Sequence, residues 1–312
     1  MAGVVLVTGA SRPLGARAAT ALRADPGVAR VVAIDDPADV SGDADLSGDR
    51  YADVIAAERV DTVVHLDQVH APDDAGGRVA MQEINVIGAM RLFAACQRSV
   101  SVTRIVVGST TEVYGASPAD PAVFTEATPP RGRPAGRFAR DAGEVEGYVR
   151  DLRERRDDLT VSILRFADVI GPGIGTPLSR YLEQPIVPVP LGRDPRLQFL
   201  HADDAVTAIH RMAVAEHPGV FNVAGRGTLT LSLALRRSGR GLLRVPDPGL
   251  RMLGGLAARA GLSRAPGDEL ALLRYGRVVD TTALEDELGW APEYSTAAAF
   301  DAVLSGSVRR CA

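Results

Sequence analysis

The chain has 312 residues, 46 % hydrophobic and 24 % charged, with a formal net charge of −4. That length allows one large or two small domains with a sizeable core, and the charge balance leaves no footprint for nucleic acid or an anionic membrane. No apolar run approaches the roughly 18–20 residues that span a bilayer, and no basic leader precedes the first strand. The two cysteines, Cys96 and Cys311, suggest neither a disulfide framework nor a metal site. A cytoplasmic protein without a metal is expected. All 35 basic residues are arginine, so a mechanism that needs lysine is unavailable.

Val4–Val7 is a β-branched run followed by Gly, Ser and Pro, then a helical pattern over Leu14–Leu22. Val31–Ile34 predicts a second strand, Tyr51–Arg59 a helix and Thr62–Leu66 a third strand. Ile84–Cys96 has helical spacing, Ile105–Val107 reads as a strand, Glu144–Leu152 as a helix and Val161–Leu164 as a strand. Such alternation predicts an α/β fold, a doubly wound parallel Rossmann sheet with helices on both faces. Beyond Gly171-Pro172 the pattern becomes irregular, and Gln198–His210 and Val220–Val223 read as a return to the sheet. The expected domains are 1–170 with about 198–224 for the nucleotide, and about 171–197 with 225–312 as a smaller C-terminal substrate lobe. Thr128–Arg137, rich in Pro, Gly and Arg, reads as an active-site loop.

The turn after the first strand is Thr8-Gly9-Ala10-Ser11-Arg12-Pro13-Leu14-Gly15. Gly9 permits a tight turn, and Gly15 lets the helix approach the sheet. The helix N-terminus then presents N–H groups and a positive dipole end to a pyrophosphate. Pro13 suits a first helical turn. The middle glycine of the dinucleotide pattern is missing, and Arg12 can offer a guanidinium to phosphate instead. Asp35, 20 residues after Gly15, stands where a carboxylate accepts hydrogen bonds from the adenosine ribose. NAD is therefore favoured over NADP, with Asp36 beside it and Arg12 the opposing signal. Asp35-Asp36-Pro37 is also compatible with a plain turn.

The ordered set of motifs resembles the extended short-chain dehydrogenases/reductases, the NAD-dependent epimerase/dehydratase group. It runs from Val4 to about Leu304. Asp45-Leu46 resembles the pair that touches adenine. Val63-Val64-His65-Leu66 resembles the fourth-strand motif, and Asn85-Val86-Ile87-Gly88 the helix motif with its structural asparagine. Ser109-Thr110-Thr111-Glu112-Val113-Tyr114-Gly115 resembles the strand end with the catalytic Ser/Thr. Leu164-Arg165, Gly171-Pro172, Phe199–Asp204, Phe221-Asn222-Val223 and Leu288–Pro292 follow in family order. The pattern is most similar to actinobacterial UDP-glucose/galactose 4-epimerase-like proteins. The resemblance implies cofactor contacts from Gly9, Ser11, Arg12, Pro13, Leu14, Gly15, Asp35, Asp36, Asp45, Leu46, Leu66, Asp67, Gln68, His70, Asn85, Gly108 and Ala167. It also implies a homodimer built on helices near Ala80–Arg98 and Phe138–Arg155, where Val145 and Val149 form an outward strip or face the sheet.

The departures cluster in the chemistry. The family's Tyr-x-x-x-Lys pair falls on Phe138 and Ala142. Phe138 cannot transfer a proton, and losing a general base removes about 10²–10⁴ of rate. Asp67 and Gln68 replace small residues, and His70 falls near a cofactor-contacting lysine of some epimerases. Asp168 replaces a substrate-binding asparagine. Arg196 adjoins Leu197, where sugar-nucleotide enzymes carry an arginine. Thr111 and Glu112 stand where 4,6-dehydratases have an acid/base Asp-Glu pair. Glu112 reads equally as a base or as a solvated strand-end residue. The expectation is an atypical epimerase/dehydratase-like enzyme with NAD as cofactor. Thr110, Glu112 and Asp67 are its candidate acid/base groups, and Thr111, Asp168 and Arg196 its candidate substrate contacts. The substrate is small and polar, a sugar derivative being one option. The alternative is a non-catalytic NAD-binding sensor or partner subunit.

Overall fold

The structure, a computed structural model, describes residues 3–34, 50–131, 136–246 and 267–308, without the side chains of 267–270 and 306–308. The chain forms two compact units. The first is Met1–Ser109, Asp141–Arg165 and Ala205–Phe221, and the second Thr110–Arg140, Phe166–Asp204 and Asn222–Ala312. These packing boundaries place residues 110–140, 166–170, 198–204 and 222–224 with the second unit, a different division from the one drawn on sequence.

In the first unit, β1 (Gly3–Thr8) leads through a turn into α1 (Pro13–Ala24), then β2 (Val28–Ile34), α2 (Arg50–Glu58) and β3 (Thr62–His65). A near-continuous helical stretch follows: α3 (Arg78–Gln82), a π turn (Glu83–Gly88) and α4 (Ala89–Arg98). Next come β4 (Arg104–Thr110), the long helix α5 (Arg137–Arg155) and β5 (Thr160–Phe166). The strands form one six-stranded sheet with β5 next to β4, then β3, β1 and β2, and Gly219–Val223 at the other edge. The pairs β1–β2, β1–β3 and β3–β4 are parallel. From β1 the chain goes first to one side and then to the other. The crevice between the carboxyl ends of β1 and β3 is therefore the switch point where such sheets bind ligands.

Leu6, Val63, Ile105, Val107 and Ile163 from the strands pack with Ile55, Leu92, Phe93, Cys96 and Leu152 from the helices. Each fully buried side chain of this size contributes about 1.5–3 kcal/mol. Val145 and Val149 belong to this core, at 1 % and 0 % exposure, so the outward strip does not exist. Arg78–Arg98 spans 21 residues and contains an 18-residue window with a mean hydropathy of 1.2, long and apolar enough to cross a membrane, of which 44 % is buried. The sequence reading missed this stretch because Arg78, Glu83, Arg91 and Arg98 interrupt it. Its Leu92, Phe93 and Cys96 lie in the core just described.

The second unit holds β6 (Asp168–Ile170), α6 (Pro177–Leu182), β7 (Ile186–Pro190), β8 (Arg196–Leu197) and β9 (Phe199–His201). α7 (Ala202–Val214) leads to β10 (Gly219–Val223), which is the edge strand of the six-stranded sheet. β11 (Leu229–Thr230), α8 (Leu231–Arg237), β12 (Gly241–Val245), α9 (Gly267–Tyr275), α10 (Thr282–Leu288) and α11 (Thr296–Val308) complete the second unit. Phe199–His201 pairs with Asp168–Ile170 in a two-stranded parallel sheet of its own. That corrects the expected return of this segment to the main sheet. Val220–Val223 does return, within β10. Residues 132–135 of the expected loop lie outside the described residues. Its Arg131 donates from Nε to the Tyr114 carbonyl at 3.2 Å and pairs with Asp120.

Candidate functional site

The turn after β1 is built to its two glycines. Gly9 has φ +72°, and a Cβ there would lie 2.7 Å from Asp67 Cα and 2.8 Å from the Leu66 carbonyl oxygen. A Cβ on Gly15 would lie 2.1 Å from the Gly9 carbonyl oxygen. The turn thus lies against the end of β3, and α1 lies against the turn. Arg12 N donates to the Gly9 carbonyl at 3.0 Å, and Ala16 N to the Arg12 carbonyl at 2.8 Å. Pro13 opens α1, with Leu14 in its first turn, and the N-cap position Arg12 makes no side-chain cap. Ser11 is exposed on the turn. Phosphate-sized anions suit such an end, because backbone N–H groups and the helix dipole converge there.

Arg12 reaches back across this turn. Its Nε donates to Asp67 Oδ1 at 2.8 Å, with the side chains 29 % and 8 % exposed. The guanidinium is thereby held toward β3, on the opposite side of β1 from β2. Leu66 is buried beside Asp67, and His70 is exposed. Gln68 donates to the Gly108 carbonyl at the end of β4. Asn85, in the π turn, clamps the intervening loop. Its Oδ1 accepts from Val69 N at 2.7 Å, and its Nδ2 donates to the Val69 carbonyl at 2.9 Å. Asn85 therefore serves the crevice by fixing the segment that carries Asp67 and Gln68. Asp35, Asp36, Asp45 and Leu46 lie outside the described residues.

Beneath the crevice, Thr8 Oγ1 and His65 Nδ1 are 2.8 Å apart, and Leu66 N donates to the same oxygen at 3.3 Å. Burial pushes the His65 imidazole down to about 4, so it is neutral near pH 7.

On α5, Phe138, Ala142 and Glu146 follow at i, i+4 and i+8, and therefore share one helix face. They are 5 %, 2 % and 0 % exposed. Glu146 anchors that register. Its Oε1 accepts from Ser109 Oγ at 2.6 Å and Arg165 Nε at 3.0 Å, and its Oε2 accepts from Arg165 Nη2 at 2.7 Å. Neighbouring Asp141 takes both Nη groups of Arg78, at 2.7 and 2.6 Å. The sequence reading gave none of these five, Ser109, Glu146, Arg165, Asp141 and Arg78, a role in the site. A carboxylate eight residues after Phe138 and an arginine ending β5 were visible, but only the fold pairs them.

In the second unit, Thr110 Oγ1 accepts from Glu112 N at 3.1 Å and caps the 3-10 turn Thr111–Tyr114. Glu112 is partly exposed on that turn. Tyr114 is buried and donates from its hydroxyl to Asn222 Oδ1 at 2.8 Å, so its phenol is committed inside the unit. A small polar pocket brings together Thr111, Ala167, Asp168, Gln198 and Arg277. Arg277 Nε donates to Thr111 Oγ1 at 3.2 Å. Gln198 is stitched to Val279, accepting from its N–H at 2.7 Å. Burial raises the Asp168 carboxyl above the usual range, against the opposing pull of Arg277 and the Thr176 hydroxyl. Arg196 is not in this lining. It is exposed and donates to the Ala122 carbonyl at 3.1 Å. The guanidinium in the pocket is Arg277, which sequence reasoning missed because it lies 109 positions from Asp168.

A model of the NAD dependent epimerase/dehydratase family matches residues 5–224. An uncharacterized protein of Mycobacterium tuberculosis is 44 % identical over 315 residues, covering 97 % of this chain and 84 % of its own. Among solved structures, the UDP-glucose 4-epimerase of Thermotoga maritima with UDP-glucose superposes with a TM-score of 0.72 at 17 % identity, over 99 % of this chain and 100 % of that one. The dTDP-glucose 4,6-dehydratase of Bacillus anthracis, in complex with NAD, gives 0.72 at 17 % identity over 99 % and 97 %. At these identities the likeness carries the fold, whereas the family model spans most of the chain: the protein belongs to the NAD dependent epimerase/dehydratase family.

Proposed function

We propose that the protein binds NAD in the first unit and acts as an epimerase- or dehydratase-like enzyme whose proton transfer does not use a Tyr–Lys pair. The observation that carries the cofactor half is the turn in which neither Gly9 nor Gly15 has room for a Cβ. It leaves backbone alone at the head of α1, which fits a pyrophosphate. When bound, NAD supplies a hydride acceptor and donor. The chain's own part is to seat the pyrophosphate at α1 beside Arg12, and the adenosine ribose and adenine at Asp35, Asp36, Asp45 and Leu46.

Glu112 is the proposed base. Thr110 spends a lone pair on Glu112 N–H and retains its own proton to give to a substrate oxygen. The Arg12 contact of Asp67 argues against proton transfer at that residue. Thr111, Asp168 and Arg277 are the proposed substrate contacts. Their mix of hydroxyl, carboxyl and guanidinium suits a polyhydroxylated substrate, and the solved structures of like fold include a UDP-glucose 4-epimerase and a dTDP-glucose 4,6-dehydratase.

The test is turnover of a nucleotide-sugar panel by the purified protein with NAD, followed by product mass and 340 nm absorbance. Glu112→Gln is expected to lower any turnover by about 10²–10⁴, the range for a general base. Unchanged turnover in that variant removes Glu112 from the chemistry. Phe138 and Ala142 favour a second reading, an NAD-binding sensor or partner subunit. Saturable NAD binding without turnover of any panel member selects it.

A further inference from the structure

The feature left over is the ion pair that closes the crevice. Arg12 takes the place of the glycine that usually lets phosphate approach the backbone, and Asp67 puts a carboxylate at the same switch point. The two are joined at 2.8 Å, and Asp67 Cα lies directly against the turn at Gly9. A pyrophosphate seated at α1 would meet both charges, one attractive and one repulsive.

We propose that Arg12 is the pyrophosphate-binding side chain of this protein and Asp67 its internal competitor, so that the pair parts when a dinucleotide enters. This rests on the cofactor site proposed above and adds how that site sets its affinity. Arg12 supplies by side chain what the missing glycine would have supplied by backbone approach. Guanidinium groups match phosphate geometry with two parallel N–H donors. Asp67 holds Arg12 at the crevice in the free protein and is neutralised by it. On binding, the guanidinium exchanges the carboxylate for phosphate oxygens, and Asp67 becomes a like charge beside the ligand. Affinity is therefore lower than the cradle alone would give, and the carboxylate rather than the glycine turn imposes the deficit.

The experiment is calorimetric titration of the full chain with NAD, ADP-ribose and adenosine. It compares wild type, Asp67→Asn, Arg12→Gln and the double variant, each checked for folding by circular dichroism. Asparagine is isosteric with Asp67, which preserves packing against Gly9. Asp67→Asn is expected to tighten NAD and ADP-ribose five- to tenfold and leave adenosine, which has no pyrophosphate, unchanged. Arg12→Gln is expected to weaken both pyrophosphate ligands more than tenfold, and the double variant to recover part of that loss. If Asp67→Asn binds ADP-ribose no more tightly than wild type, or if adenosine shifts equally, the proposal is overturned while the cofactor site stands. Wild-type protein that binds neither NAD nor ADP-ribose overturns both. A pair that is only structural would change the urea midpoint and leave the ratio of ADP-ribose to adenosine affinity where it was.

Discussion

Gly15 faces the Gly9 carbonyl so closely that a methyl group would overlap it at 2.1 Å. The overlap is with backbone, which has no rotamer to yield. Gly15→Ala is expected to cost about 1–3 kcal/mol of stability, as overpacking does, and to remove NAD binding; urea unfolding and calorimetry read the two effects separately. His65 gives a pH signature. Its imidazole titrates at about 4 in the folded protein against 6.5 for the ordinary group. Between those values the unfolded chain binds more protons than the folded one, so stability falls as pH drops from about 6.5 to about 4. The full loss is about 3 kcal/mol. The urea midpoint of wild type is expected to fall between pH 7 and pH 4.5 by more than that of His65→Gln; equal falls would contradict the assignment. Glu146 is the third case. Removing Arg165 with Arg165→Met leaves a buried carboxylate without its guanidinium, though Ser109 still donates to it, which is expected to cost about 3–5 kcal/mol in the same assay.

At the scale of the element, the proposed chemical departure falls on α5. Its face places Phe138 and Ala142 one turn apart and Glu146 one turn further on, locked to Ser109 and Arg165. On the reading proposed above, the departure is substitution in place rather than a shifted helix. If proton transfer has been reassigned, Phe138→Tyr/Ala142→Lys creates no turnover beyond what wild type shows on the nucleotide-sugar panel. New epimerase turnover in that variant would mean that the chemistry was lost rather than moved. The strands and helices of the first unit were legible because β-branched runs and helical spacing are local signals. Phe199–His201 was not, since a three-residue strand is assigned by its partner, here Asp168–Ile170, and not by its own propensity. The tight turn over Thr8–Gly15 was legible for the same local reason. Arg277 in the pocket and the Arg12–Asp67 pair were not, because each joins residues far apart in the chain.

At the scale of the whole molecule, one unit carries the Rossmann sheet and the glycine turn, while the other carries the polar pocket of Thr111, Asp168 and Arg277. A homodimer is proposed on the family pattern alone, and light scattering at the mass of one chain would contradict it. With Val145 and Val149 in the core, such a dimer would need other residues of α4 and α5. The claim on which everything else depends is that NAD sits at the turn after β1. Its most direct test is calorimetric titration of NAD into wild type and into folded Gly15→Ala. Saturable one-to-one binding to wild type, absent from Gly15→Ala, is the predicted result. No saturable binding to wild type, or equal binding to both proteins, would contradict it.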